Sequence, residues 1–165
     1  MIVVSDASPI ISLSAVGRLD LLAQLYQRVI VPTSVHEEIA TADSDRPGAR
    51  ELREAEWLTT ALPKDRVLVR ALEGELDSGE AEAIALAIEV GADFLIVDER
   101  RGREVARRMG VHVIGVLGIL IEAKSRGLVP AVAPILEALL TRAGFRISPS
   151  LYRRVLEASD EAPGS

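Results

Sequence analysis

Residues 77–102 constrain the fold of this chain more than any other stretch, because they combine a capped helix, a turn and a buried strand. An Asp-Ser pair at the start supplies the helix N-cap, and Gly91 marks the C-terminal end of the helix. Residues 94–97 form a short apolar run, which is typical of an interior parallel strand. Open parallel sheets bind ligands at the carboxyl ends of their strands. Asp98 lies at that position, so this stretch predicts a fold class and a place for a site.

The rest of the chain repeats this alternation of short strands and helices. Predicted strands cover residues 2–5, 29–31, 57–60, 67–69, 94–97 and 111–115. Predicted helices cover residues 9–25 in two pieces broken near Gly17, then 34–40, 50–56, 78–90, 103–109, 117–126, 134–142 and 149–158. The alternation predicts an α/β protein with three layers, α/β/α, around a central parallel sheet, with additional C-terminal helices. We expect one domain over residues 1–158, with a polar turn at 43–48 and a disordered tail at 159–165.

Composition excludes several kinds of site and of location. The 165 residues include no cysteine, which excludes disulfides, thiolate zinc sites and cysteine nucleophiles, and only two histidines, which argues against a histidine-based zinc site. A net charge of −6 argues against a protein that coats nucleic acid non-specifically. The N-terminus lacks the pattern of a signal peptide, and the longest apolar run, residues 113–121, is too short to span a bilayer. We therefore expect a cytoplasmic protein without a membrane partner.

Two aspartates each follow a short hydrophobic strand. Asp6 comes directly after the first strand and Asp98 after the strand at 94–97, so a parallel sheet places both at the same edge, and we expect the two strands to be adjacent. Two carboxylates about 5 Å apart repel by roughly 3 kcal/mol at an effective dielectric constant of about 20, which a bound cation would offset. Oxygen ligands without cysteine or clustered histidine favour Mg²⁺ or Mn²⁺ over zinc. Each aspartate is equally well explained as a cap or turn residue before the next helix.

Two glutamates are candidates to join these aspartates. Glu80 lies on the same helix face as the small apolar residues three, four and seven positions later, which predicts that it points inward, although it could merely complete a capping box. Glu82 lies on another face, where we expect it to be solvated. In the helix at 34–40, Glu37 fits a capping box with Ser34, whereas Glu38 flanks the apolar stripe. Glu38 is therefore the better candidate to reach a site.

Polar and basic residues near the same edge are candidates for contact with a substrate. Arg100 and Arg103 follow the second strand-end acid closely enough to contact a phosphate backbone. Ser8 could hydrogen-bond a carboxylate or a metal-bound water, although it is equally well explained as the N-cap residue before a proline. We interpret Arg107 and Arg108 as part of a solvated helix face that pairs with nearby acids.

Four segments together resemble the PIN-domain family. They are VVSDASPIISL, VIVPTSVHEEI, LDSGEAEAIALAIEVGADFLIVDERRGREVA and VIGVLGILIEAKSRGLV, and the resemblance covers about residues 2–158. Within that family, the chain resembles the small stand-alone prokaryotic PIN proteins akin to VapC toxins. This resemblance implies a ribonuclease that depends on a divalent metal ion and is often the toxin of a toxin–antitoxin pair. It also implies RNA as the substrate and an antitoxin protein as a partner.

The resemblance also assigns the acids of the site, motif by motif. The first acid falls on Asp6 with a small hydroxyl residue on Ser8, the second on Glu38, the third on Glu80 and the strand-end acid on Asp98. Glu99 lies where some relatives carry a further acid. The implied catalytic residues are Asp6, Glu38, Glu80 and Asp98, and the implied metal ligands are Asp6, Glu80, Asp98 and Glu99. The third acid is usually Asp, and the longer Glu80 side chain moves the carboxylate outward, which bears on metal geometry and activity.

Other functions share parts of this pattern. A phosphoaspartyl-forming hydrolase also has Asp after its first strand but needs a second acid two residues later, where this chain has Ser8. A receiver-type phosphorylation domain needs a lysine after a late strand, and neither Lys64 nor Lys124 is so placed. A degenerate PIN fold that binds protein or nucleic acid without catalysis is the remaining alternative.

The C-terminal helices are rich in apolar residues. Ile135, Leu136, Leu139 and Leu140 form one stripe, and residues 151–155 contribute a second. These stripes either complete the core of the monomer or form part of an interface with a second chain. Together with the family resemblance, they lead us to expect a homodimer.

Overall fold

The computed structural model describes residues 1–41 and 49–161. The predicted polar turn at 43–48 lies outside the described residues, and so do residues 162–165 at the end of the predicted tail. Within the described ranges, no helix is long and apolar enough to cross a membrane.

The described residues form five strands and ten helices. The strands are β1 Val3–Ser5, β2 Val29–Pro32, β3 Leu58–Ala61, β4 Phe94–Ile96 and β5 Val113–Ile114. The helices are α1 Ala7–Ala15, α2 Asp20–Tyr26, α3 Thr33–Thr41, α4 Ala49–Arg53, α5 Arg66–Leu72, α6 Ser78–Glu89, α7 Arg100–Arg108, α8 Val116–Ser125, α9 Ala133–Arg142 and α10 Pro149–Ala158.

The five strands form one parallel sheet in the order β3-β2-β1-β4-β5. β1 is the central strand, and it pairs with β4 over its whole length, from Val3 opposite Phe94 to Ser5 opposite Ile96. The amide of Asp6 continues this pairing by donating to the carbonyl oxygen of Ile96 at 3.0 Å. The prediction that the two strand-end aspartates follow adjacent parallel strands is therefore confirmed.

Helices cover both faces of the sheet, which confirms the three-layer prediction. Successive strand residues point to opposite faces, and Val3 accordingly belongs to one buried cluster and Val4 to the other. The C-terminal helices α9 and α10 pack on the face of Val3, where Leu136, Leu139 and Leu156 are buried. The apolar stripes of these helices are therefore used largely within the monomer.

Residues 67–69, which we predicted as a strand, lie instead in α5. Asp65 caps this helix, because its carboxylate accepts a hydrogen bond from the amide of Leu68 at 3.0 Å. A short apolar run has no distinctive period, so the cap decides between a helix and a strand here.

Two helices begin more than one residue earlier than predicted. α1 begins at Ala7, so Asp6 occupies the N-cap position and Ser8 lies in the first turn rather than at the cap. α7 begins at Arg100, three residues before its predicted start, with Glu99 at the N-cap. Both corrections place an acid of the predicted site at the N-cap of a helix.

Residues 159–161, which we predicted as the start of a disordered tail, belong to the folded structure. The carboxylate of Glu161 accepts hydrogen bonds from the amides of Val132 at 2.6 Å and Ala133 at 3.1 Å. It also forms an ion pair with Lys124 at 3.2 Å. The prediction of disorder is wrong for these three residues, because the polar composition of the tail gives no sign of a contact made by a single carboxylate.

Candidate active site

The start of α6 brings Glu80 to the carboxyl edge of the sheet. Asp77 caps this helix by accepting a hydrogen bond from the Glu80 amide at 2.8 Å, as predicted. Glu80 is only 5% exposed, which confirms that it points inward. Its Oε2 atom lies against α7, where a Cβ built on Gly102 would be 2.6 Å away. The glycine therefore leaves the room that the carboxylate occupies.

Asp6 is buried beside β4 at the end of the central strand. It occupies the N-cap position of α1, yet its side chain makes no capping hydrogen bond, and the residue is 6% exposed. Burial is the main cause of a pKa raised to about 7, and the amide of Ala7 offsets part of this effect. Three nearby acids also raise the pKa of Asp6, namely Asp77, Glu38 and Glu99. A plain helix cap does not account for a carboxylate in this environment.

Glu38 reaches the same region from α3. A Cβ built on Gly79 would lie 3.5 Å from Oε2 of Glu38 and 3.6 Å from Oδ1 of Asp77, so both carboxylates lie beside the first turn of α6. Glu38 is exposed, and partial desolvation followed by the charges of Asp77 and Glu99 raises its pKa.

Five carboxylates therefore influence one another at this edge. Burial, followed by the charges of Asp77 and Glu99, raises the pKa of Glu80 to about 8, and the charge of Asp6 acts in the same direction. We call this group the acidic cluster, and its members are Asp6, Glu38, Asp77, Glu80 and Glu99. The sequence predicts Asp77 only as a helix cap, although its position at the start of the helix that carries Glu80 already places it at this edge.

Asp98 lies next to the acidic cluster, but its side chain points towards the start of α8. Its Oδ1 accepts a hydrogen bond from the amide of Val116 at 2.9 Å, and this bond caps α8. Burial raises the pKa of Asp98, while the Val116 amide and the charge of Arg103 lower it. The structure therefore brings three of the four predicted catalytic acids together, and it places Asp98 between them and the basic surface of α7.

A comparison with known protein families fits a site of clustered acids at this edge of the sheet. A family model described as PIN domain matches residues 2–161, which is nearly the whole chain. The chain belongs to the PIN-domain family. PIN domains are in general nucleases that act on nucleic acid, and they typically use divalent metal ions. Among curated proteins, none is similar enough to this sequence to count as a relative.

Glu82 corrects one prediction about this PIN domain. We expected the side chain to be solvated, but it is only 6% exposed. Its carboxylate accepts a hydrogen bond from the hydroxyl of Ser34 at 2.8 Å and forms an ion pair with Arg66 at 3.1 Å. The same contact shows that Ser34 bonds across to α6 instead of forming the predicted capping box. Helical spacing missed this role because the face of Glu82 is covered by two polar partners rather than by apolar ones.

The predicted substrate-binding residues lie in the first turns of the two helices that follow the strand-end aspartates. Ser8 is half-buried in the first turn of α1. Arg100 is exposed and forms an ion pair with Glu104 at 3.1 Å, whereas Arg103 is partly buried and donates to the carbonyl oxygen of Val97 at 3.2 Å. An open groove beside α7 is lined by Arg100, by Arg103 and also by Arg107, which we interpreted as paired on a solvated face.

The chemistry of the acidic cluster fits a divalent cation. Oε2 of Glu80 and Oδ2 of Asp98 are buried and have no hydrogen-bond partner among the described residues. A buried oxygen without a partner costs about 1–3 kcal/mol or more, and a hard cation would satisfy it. Within residues 1–41 and 49–161, no three His, Cys, Asp or Glu side chains are already gathered as a ligand set. Binding would therefore require the exposed carboxylates of the cluster to rotate inward.

Proposed function

We propose that this PIN-domain protein is a divalent-metal-dependent endoribonuclease that hydrolyses RNA phosphodiester bonds at the acidic cluster. The observation that carries this proposal is the buried pair of Asp6 and Glu80, whose pKa values are raised to about 7 and about 8. Crowded buried carboxyl groups destabilise a fold unless a ligand offsets their repulsion, and such groups are concentrated at functional sites. Membership in a family of nucleases supports the same reading.

The burial of each acid indicates its role. Asp6 and Glu80 form the buried floor of the cluster and are proposed to hold Mg²⁺ or Mn²⁺ together with Glu99, while the unpartnered Oδ2 of Asp98 is a further candidate ligand. When bound, such a cation neutralises charge on the phosphate and lowers the pKa of a water molecule. Glu38 lies on the solvent side, and a raised pKa makes its carboxylate a stronger base than an ordinary glutamate, so we propose that it accepts a proton from water.

Cleavage of a labelled single-stranded RNA by the purified protein tests this proposal. We expect cleavage with Mg²⁺ or Mn²⁺, no cleavage with EDTA, and a loss of at least about 100-fold in Asp6→Asn and Glu80→Gln. Asp20→Asn is the matched control, because it removes one carboxylate at the start of α2, outside the cluster, and should leave the rate unchanged. Cleavage that persists in EDTA or in Asp6→Asn would refute the proposal.

Two observations support a second function, in which the fold binds nucleic acid or protein without cleaving it. The described residues hold no preformed set of three metal ligands, and Glu80 stands where the family resemblance implies Asp. The same assay separates the two functions, since a binding module would retain RNA in a gel-shift experiment while leaving it intact with either metal.

The finer assignment to a VapC-like toxin of the cytoplasm, inhibited by an antitoxin, rests on the motif resemblance. We propose this assignment on that ground. It predicts that expression of the parent protein in a bacterium arrests growth and that expression of Asp6→Asn does not. The proposed homodimer also rests on the resemblance, because the apolar residues of α9 and α10 are largely buried within the monomer. Light scattering at micromolar concentration tests it, and a monomer there would exclude it.

A further inference from the structure

An open groove of about 630 Å³ adjoins the acidic cluster on the other side of Asp98. One wall is α7, and the opposite wall is formed by residues 145–151, which belong to the segment between α9 and α10 and to the first turn of α10. The end of β5 and the first turn of α8 form the floor. The groove therefore begins where the acidic cluster ends, and Asp98 lies between them.

The walls of this groove carry an excess of positive charge. Four arginines line it, namely Arg100, Arg103, Arg107 and Arg146. The ion pair with Glu104 neutralises Arg100. Among the described residues, the other three arginines form no ion pair. A protein with a net charge of −6 thus concentrates positive charge in one groove, which predicts an anionic occupant.

Arg103 and Arg107 crowd each other in this groove. Burial, followed by the charge of Arg107, lowers the pKa of Arg103. A Cβ built on Gly115 would lie 2.6 Å from Nη1 of Arg103 and 2.7 Å from Oδ1 of Asp98, so the missing side chain at Gly115 leaves room for both groups. The two arginines are four residues apart and therefore about 6 Å apart along the helix axis. They can contact successive phosphates of an extended chain.

The opposite wall adds an aromatic surface. Phe145 is half-buried and stands next to the exposed Arg146, and Leu117 and Ile147 extend the apolar lining. A phosphate-binding wall that faces an aromatic ring matches the way proteins bind single-stranded nucleic acid, by backbone contacts together with base stacking. A duplex keeps its bases stacked inside and cannot use such a ring.

We propose that this groove holds a single-stranded segment of RNA next to the bond that is cleaved, with Arg103, Arg107 and Arg146 on its phosphates and Phe145 stacked on a base. This inference rests on the proposed nuclease function and adds the path of the substrate. The strand leaves the acidic cluster across Asp98 and the start of α7, and it then follows α7 along the groove. The segment between α9 and α10 thereby becomes part of the substrate site.

Binding of a fluorescein-labelled 12-nucleotide oligouridine tests the phosphate contacts. Anisotropy is measured with Mg²⁺ present at several salt concentrations, in an Asp6→Asn background that prevents cleavage. We expect Arg107→Ala/Arg146→Ala to bind roughly 10-fold more weakly. The slope of the logarithm of affinity against the logarithm of salt concentration should become shallower by about 1.4, because about 0.7 is lost for each phosphate contact.

The control variant is Arg28→Ala/Arg53→Ala, which removes the same charge. Both residues are exposed and precede the amino ends of β2 and β3, at the edge of the sheet opposite the acidic cluster. This variant should bind like the parent protein. An equal loss in both double variants would show a general charge effect and overturn the groove assignment, and so would parent-like affinity and slope in Arg107→Ala/Arg146→Ala.

Phe145→Leu tests the stacking contact, because leucine keeps the apolar packing of this half-buried position. We expect affinity to fall by about 5-fold or more with an unchanged salt slope, and with a thermal midpoint close to that of the parent. Equal binding of Phe145→Leu and the parent would overturn the stacking role. Tight binding of a duplex of equal length through the same arginines, or equal competition by a poly-glutamate peptide, would overturn the assignment to single-stranded RNA.

The proposals for cleavage and for the groove fail in different ways. Groove-dependent binding of RNA that is never cleaved with Mg²⁺ or Mn²⁺ would refute the nuclease function and leave the groove in place. Normal cleavage and binding by Arg107→Ala/Arg146→Ala in the otherwise wild-type chain would refute the groove and leave the nuclease function in place.

Discussion

At the scale of single residues, Asp6 and Glu80 link the site to the stability of the fold. Their pKa values in the folded protein, about 7 and about 8, lie above those of an unfolded chain. Between pH 4 and 8 the folded state therefore binds more protons than the unfolded state, and stability falls as pH rises. Below about pH 3 both states are largely protonated, and this contribution is constant.

The metal-free protein should accordingly lose stability between about pH 4 and pH 8. Asp6→Asn removes one of the crowded charges and should raise the free energy of unfolding at pH 8 by roughly 1–3 kcal/mol. Urea unfolding in EDTA at pH 5 and pH 8 measures both effects. Stability that is flat over this range in the parent, or an Asp6→Asn variant that is less stable at pH 8, would contradict the presence of the buried carboxyl pair.

Gly102 controls the room available to Glu80. Alanine there would place its Cβ 2.6 Å from Oε2 of Glu80 and 3.1 Å from Cγ2 of Val97, so the carboxylate must move. We expect Gly102→Ala to lower Mn²⁺ affinity and cleavage by at least about 10-fold, because a displaced ligand costs metal binding. Circular dichroism should show a folded protein.

Gly79→Ala is the matched control for Gly102→Ala. Its Cβ would meet nothing closer than 3.5 Å, and alanine in place of a helical glycine stabilises by up to about 1 kcal/mol. Mn²⁺ affinity should stay within a few-fold of the parent. Equal loss in both glycine variants would mean that the first turn of α6, rather than the position of the Glu80 carboxylate, is sensitive to change.

The burial of a side chain could be predicted from the sequence where its surroundings come from its own helix or strand. Glu80 shares a face with small apolar residues, and its burial could be predicted from that spacing. The burial of Glu82 could not, because it depends on Ser34, which is 48 residues away in the sequence, and on Arg66. The direction of the Asp98 side chain likewise depends on the amide of Val116.

At the scale of elements, the contact between α3 and α6 positions Glu38 beside the first turn of α6. Ser34 and Glu38 are one helical turn apart on α3, and Ser34 bonds to Glu82 on α6. The buried carboxylate of Glu82 thus links α3 to α6, the two helices that carry Glu38 and Glu80.

Glu82→Ala should lower the free energy of unfolding by about 2–4 kcal/mol, because it removes a buried hydrogen bond and leaves Arg66 without its partner. Glu73→Gln is the control, since Glu73 is exposed at the end of α5 and should change stability by less than about 0.5 kcal/mol. Urea unfolding with Mn²⁺ absent measures both. A Glu82→Ala variant as stable as the parent would show that this contact does not hold α3 on α6.

Long helices bounded by a cap and a stop signal were predictable, whereas the conformation of a short apolar run was not. Asp77 and Gly91 bound α6 in the structure as in the sequence, and Ser148 caps α10 as predicted through its bond from the Leu151 amide. Residues 67–69 show the opposite case, since three apolar residues fit a strand and a helix equally well. Their helical state follows from the Asp65 cap.

At the scale of the whole molecule, the alternation of strands and helices was sufficient to predict the parallel sheet and its covered faces. It did not predict the strand order, because β1 pairs with both β2 and β4 and only the three-dimensional packing decides this. The contacts by which Glu161 holds the end of the described chain against α8 and α9 could not be predicted from the sequence either. One carboxylate there contacts two amides of the α9 start and a lysine of α8.

Glu161→Gln should destabilise the fold by about 1–2 kcal/mol, because the neutral amide weakens three charge-assisted contacts. The exposed Glu157 on α10 provides the control, and Glu157→Gln should have a negligible effect. Thermal unfolding compares the two variants. Indistinguishable midpoints would mean that residues after α10 do not stabilise the domain.

The most direct test of a metal-dependent acidic cluster is a calorimetric titration of Mn²⁺ into the purified protein at pH 7.5. Our account predicts saturable binding that is weakened at least about 10-fold in both Asp6→Asn and Glu80→Gln, and is unchanged in Asp20→Asn. Absence of binding in the parent protein, or equal binding by the parent, Asp6→Asn and Glu80→Gln, would contradict it.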